Sequence, residues 1–128
     1  MNPNPIRRTL DPSFGNAGKI VGLFGSIIGS ARGVMQQADG KLVTGGWTYT
    51  GGGSSADFVT LRYSADGVLD AGFGTNGTVI TPVAPGTKSD SAFAVALQGD
   101  DRVPTTRLLL AGAANDANNN FALTRYWP

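Results

Sequence analysis

The chain has 128 residues, enough for about one domain and too few for two packed globular ones. Its nine acidic residues are all Asp, and with nineteen Gly and seven Pro the composition is poor in helix formers and rich in turn formers, which favours an all-β fold. A net charge of +1 with 15% of residues charged gives no basic field to hold a polyanion, so nucleic acid is set aside as a partner, and the lack of His and Cys removes imidazole bases, thiolate nucleophiles and disulfides while leaving the compartment open.

In chain order, Met1-Asn2-Pro3-Asn4-Pro5 is polar and lacks the apolar region of a secretory signal. A Phe-Gly-x-x-Gly turn at Phe14–Gly18 precedes a short apolar strand, Lys19–Phe24. The most apolar run, Ile20–Ile28, has nine residues where a membrane helix needs about 20, so no membrane insertion is expected, and the Gly25–Gly29 GxxxG spacing has no host helix. Gly33–Gln37 and Lys41–Trp47 flank Ala38-Asp39-Gly40, where Asp-Gly suits a tight two-residue hairpin turn. Tyr49 and the run Gly51–Ser55 lead through a flexible loop to Asp57–Tyr63, whose side chains alternate as in a half-buried strand. Thr78–Val83, Phe93–Gln98, Leu108–Ala113 and Asn120–Trp127 follow by the same reading. The second hairpin also carries Val103-Pro104-Thr105-Thr106, which predicts a longer, protruding loop.

The two sets are copies of one unit. Leu10-Asp11-Pro12-Ser13-Phe14-Gly15-Asn16-Ala17-Gly18 returns as Leu69-Asp70-Ala71-Gly72-Phe73-Gly74-Thr75-Asn76-Gly77 at a shift of 59. Ala31–Gln37 returns as Ala92–Gln98 at 61, and Asp57-Phe58-Val59-Thr60-Leu61-Arg62-Tyr63 as Asn120-Phe121-Ala122-Leu123-Thr124-Arg125-Tyr126 at 63. The drift falls in loops, where insertions are tolerated. Repeat one spans about 10–68 and repeat two about 69–128, within one domain. Four short strands per repeat is the pattern of a propeller blade, so the expected fold is two four-stranded antiparallel blades, with a two-sheet β-sandwich as the alternative.

These motifs, L-D-x-S-F-G-x-x-G, A-x-x-V-x-x-Q-x-D-G-K-[LI]-V-x-x-G and D-F-x-[LT]-x-R-Y, resemble the bacterial delta-60 repeat from Leu10 to Tyr126, with departures at Gly72, Asp101 and the Val103–Arg107 insertion. The resemblance implies a β-propeller-like blade, usually in tandem arrays of surface or secreted bacterial proteins, with no established activity, cofactor or catalytic residue.

Catalytic candidates are few. Asp100-Asp101 reads as a solvated hairpin tip, and Asp116 among Asn115, Asn118, Asn119 and Asn120 offers too few carboxylates for a strong calcium site, so no metal, cofactor or catalytic residue is assigned. A hydrolase would need a convergent pair among Asp11, Asp57 and Asp70. Asn76-Gly77-Thr78 fits a glycosylation acceptor but falls within a repeated turn.

Arg62 and Arg125 share one strand position in both copies. Each can bridge the Asp11 or Asp70 of the L-D-x-x-F turn as a structural clamp, or the two can face an anionic ligand at a channel mouth; the clamp is preferred because binding residues vary more between copies. Trp47, Tyr49 and Trp127 are either platforms for a sugar or peptide or filler between blades. The expected function is a non-enzymatic binding or scaffolding module, with a carbohydrate-binding protein second and an Asp-based hydrolase third. Two blades fall short of the four to eight of a closed propeller, which predicts a homo-oligomeric ring, three chains giving six blades, with Lys19–Phe24 completing a neighbour's blade begun by Asn120–Trp127.

Overall fold

The computed structural model of the chain describes residues 9–21, 29–50, 55–84, 88–100, 103–115 and 118–127. Among them there is no helix, and seven strands form two antiparallel sheets. Sheet one has the order β1 (Gly29–Gln36), β2 (Leu42–Tyr49), β3 (Ala56–Tyr63) and β4 (Thr78–Thr81); sheet two has β5 (Asp90–Asp100), β6 (Val103–Ala114) and β7 (Asn120–Tyr126).

The strands follow the alternation of the sequence, and the duplication extends to their irregularities. A bulge interrupts β1 between Ala31 and Gly33 and β5 between Ala92 and Ala94, the same place in each repeat. The turns before β4 and before Lys19 also repeat: Gly15 and Gly74 have φ of 56° and 54°, Ala17 and Asn76 both 51°, and Gly18 and Gly77 83° and 86°. At the last pair a side chain is doubly disfavoured, by the left-handed backbone and because a Cβ would lie 2.5 Å from Leu10 or Leu69.

Three expectations are revised. The β1–β2 connection has three central residues rather than two: Gly40 N–H donates to Gln37 O (2.9 Å), Gln37 N–H to Lys41 O (2.8 Å), and Gly40 alone takes positive φ, 88°. The second hairpin lengthens by pairing, since β6 begins at Val103 opposite Asp100. The insertion therefore becomes strand instead of loop. Lys19–Val21, the described part of the Lys19–Phe24 strand, makes only bridges to Gly15 and Asn16, and Gly22–Phe24 lie outside the described residues.

β4 follows the second Asp-Phe turn in sequence yet pairs with β3 of the first repeat, Phe58 opposite Thr81 and Leu61 opposite Thr78. Each structural sheet is thus offset by one strand from the sequence repeat. The sheets pack face to face. Gly33 and Gly45 admit Val95 and Leu110, to within 2.8 and 3.2 Å of where a Cβ would stand. Around them Val43, Phe58, Phe73, Leu108 and Leu110 form the buried core. Asp90, fully buried, accepts from the amides of Val83 (2.7 Å), Ala84 (2.8 Å) and Asn115 (3.2 Å), tying the β4–β5 linker to the segment after β6.

Candidate functional site

Arg62 lies on β3 opposite Val43 and is 8% exposed. Its Nε donates to Asp70 Oδ2 at 2.8 Å, and its guanidinium stands 4.7 Å over the Phe73 ring. The backbone joins in: Arg62 N–H donates to Gly77 O (3.0 Å), and Asp70 N–H donates to Arg62 O (2.8 Å). Lys41 Nζ, unassigned by the sequence reading, lies 3.1 Å from the same Asp70 oxygen. The other oxygen, Oδ1, accepts from the Gly72 amide at 3.1 Å. The Lys41 hydrogen bond first, then the Gly72 amide and Arg62, hold the Asp70 carboxyl below its ordinary range against the opposing effect of burial. A strand arginine, a turn aspartate and an aromatic ring thus pin the turn before β4 to β3.

Arg125 holds the equivalent position, opposite Leu109 on β7, in different surroundings: it is exposed, with a 3.5 Å contact from Nη1 to Gln98 Oε1. The two arginines are therefore not brought together on one ligand. Trp47 and Tyr49 meet edge to face at 5.3 Å on β2, whereas Trp127 follows β7 on the other sheet with the Arg107 guanidinium 4.4 Å over its ring.

The aspartates sit in separate surroundings. Asp11 Oδ1 accepts from the Ser13 amide (2.9 Å) and hydroxyl (2.7 Å), which depress its pKa, and Asp57 Oδ2 accepts from the Thr50 hydroxyl at 2.6 Å. Asp101 and Asp116 lie outside the described residues. Among the described residues no cluster of three or more Asp side chains could hold a metal ion.

A family model described as a domain of unknown function (DUF5122), beta-propeller, matches residues 37–73. That stretch is similar to propeller sequence. It contains Lys41, Arg62, Asp70 and Phe73, so the clamp lies wholly inside the matched region. Comparisons with curated proteins and with solved structures give no match.

Read as propeller blades, the sheets use opposite faces against each other. Residues directly opposite in register share a face. Sheet one turns Gly33, Val43, Gly45, Phe58 and Arg62 inward, whereas sheet two turns Val95, Leu97, Leu108, Leu110 and Tyr126 inward. By register, the outer face of sheet two repeats the inner face of sheet one: Ala94 stands for Gly33, Leu109 for Val43, Ala111 for Gly45, Phe121 for Phe58 and Arg125 for Arg62. That outer face is exposed, Phe121 fully and Leu123 at 68%. The outer face of sheet one repeats the inner face of sheet two, Val34, Leu42, Thr44 and Tyr63 standing for Val95, Leu108, Leu110 and Tyr126. Between it and the turn carrying Phe14, Ile20 and Val21 lies an apolar trough of about 470 Å³. The arginines are legible in the sequence; these faces are not. Their signal was the alternation of Phe121, Leu123 and Arg125, which marks two faces without saying which one meets a partner.

Proposed function

We propose that the chain is a non-enzymatic scaffolding module of propeller repeats that assembles head to tail with copies of itself. One observation carries this reading: the free face of each sheet repeats the face that the other sheet already buries inside the molecule. Sheet two of one copy can then dock on sheet one of the next as sheet one docks on sheet two within the chain. A contact of this kind is heterologous and closes into a ring when the rotation per copy allows. Three chains supply six blades, within the four to eight of closed propellers. In that ring the segment that begins at Lys19, which follows its Asp-Phe turn as β4 follows the second one, adds to the neighbour's β7. The repeat resemblance to the delta-60 family supports the same reading.

Light scattering on the size-exclusion peak tests it. The expected mass is about 40 kDa, three times the 13.2 kDa of one chain. A monomer at micromolar concentration overturns the assembly. A sugar- or peptide-binding role is the second reading, supported by the Trp127 ring at 67% exposure. It requires binding on a glycan or peptide array that disappears in Trp127→Ala.

A further inference from the structure

The two Asp-Phe turns are near-copies in conformation and unequal in partners. In both, the Phe N–H donates to the Asp carbonyl (Phe14 to Asp11, 3.1 Å; Phe73 to Asp70, 3.0 Å), and the closing glycine N–H donates back to the Phe carbonyl at 2.8 Å. In both, Oδ1 of the aspartate is taken within the turn, by Ser13 or by the Gly72 amide. At Asp70 the remaining oxygen, Oδ2, receives Arg62 and Lys41, and the guanidinium covers Phe73. At Asp11 no described cation reaches Oδ2, and Phe14 is part of the trough wall with no described guanidinium above it. At the other end of the molecule Arg125 repeats Arg62 in register and is exposed. By the same register its N–H and C=O point away from β6, as those of Arg62 point away from β2 to Gly77 and Asp70.

The geometry points to an intermolecular clamp: Arg125 of one copy binds Asp11 Oδ2 of the next and covers its Phe14, with Arg125 N–H donating to Gly18 O and Asp11 N–H to Arg125 O across the contact. The molecule therefore carries one complete clamp and the two separated halves of a second, and the partner that supplies the missing half is another copy of this chain. A planar guanidinium suits both demands, because it can bond a carboxylate at its edge while stacking an aromatic on its face. This inference rests on the head-to-tail assembly proposed above and adds its register and its polar specificity.

Charge exchange on the full chain tests it, read by light scattering and by sedimentation across a concentration series. Arg125→Asp and Asp11→Arg each place like charges in the contact, and each is expected to weaken assembly by about 100-fold. The double variant Asp11→Arg/Arg125→Asp restores opposite charges and is expected to recover most of that loss. Both positions are exposed, so the far-ultraviolet circular dichroism of each variant should match that of the parent chain. Arg62→Asp serves as the contrast, lowering the thermal midpoint of the single chain. An assembled parent whose single variants assemble equally well, or whose double variant shows no recovery, overturns the clamp while leaving face-to-face assembly standing. A parent that stays monomeric overturns both.

Discussion

Arg62 and Arg125 hold the same position in the sequence repeat and have unlike neighbours in space, so identical side chains carry unlike energies. Arg62 is buried with its charge paired and its plane stacked, and removing it leaves Asp70 with Lys41 as its one cation and uncovers Phe73. Arg62→Ala is expected to lower unfolding stability by about 2–4 kcal/mol, measured by denaturant titration, whereas Arg125→Ala should stay within about 0.5 kcal/mol in the isolated chain. A change below about 0.5 kcal/mol for Arg62→Ala would remove the case for a structural clamp. Lys at position 62 should recover only part of the loss, because an ammonium cannot both bond edgewise and stack. The same cluster sets an acid limit. The carboxyl of Asp70 is held below its ordinary 3.8, chiefly by Lys41, so its charged form favours the folded state. That contribution is complete above about pH 4 and fades as pH falls through the lower folded-state value. Asp70→Asn should therefore flatten the loss of stability between about pH 4 and 2, leaving the smaller slope due to Asp11, which Ser13 depresses in the same direction. Unchanged acid sensitivity in Asp70→Asn would assign the limit to other carboxyls.

At the level of elements, the approach of the two sheets depends on places where a side chain is missing. Gly33→Val would drive a branched side chain into Val95 and is expected to cost about 1–3 kcal/mol, whereas Ala94→Val, the same register position on the exposed face, should leave the unfolding midpoint of the single chain nearly unchanged. Equal effects at the two sites would mean that sheet two does not seat against Gly33. Asp90→Ala takes the acceptor from the buried Ala84 amide and from the part-buried amides of Val83 and Asn115, and should lower stability by about 2–4 kcal/mol by the same titration, with Asn recovering part of it. Strand positions were legible because alternation and Gly-Asp punctuation act locally, and all seven strands overlap their expected spans. The three-residue hairpin was not, since an Asp-Gly pair also fits a type I turn whose following residue takes the left-handed region. Nor was the fate of Val103–Arg107: added residues on one arm of a hairpin can pair if the other arm has chain to offer, and Gln98–Asp100 had it. Asp90, between two serines at the start of β5, looks like any turn residue in sequence, because its burial is created by the packing of elements remote from it. The Arg62–Asp70 bond was legible because both partners belong to repeated motifs; Lys41 was not, since its reach to Asp70 depends on how the first hairpin folds onto that turn.

For the whole molecule, an exposed apolar face repeats a buried one, which places the solubility risk of the chain at Phe121 and Leu123. Phe121→Asp should leave the thermal midpoint of the monomer unchanged and abolish the assembled form in light scattering; persistence of the assembly would move the contact away from this face. The offset between repeat and sheet has a further consequence, for lineage rather than for energy. Because β4 is encoded after the second turn but paired in the first sheet, the unit that a duplication copies is not the unit that folds. The second unit hands its leading strand backwards, much as a DNA fragment with a cohesive end carries the complement of every other fragment cut the same way. Whole units can then be gained or lost in the interior of an array without redesigning its junctions, since every new junction joins the same two surfaces. On the proposed docking, the number of units in such an array is set independently of the chemistry that joins one unit to the next.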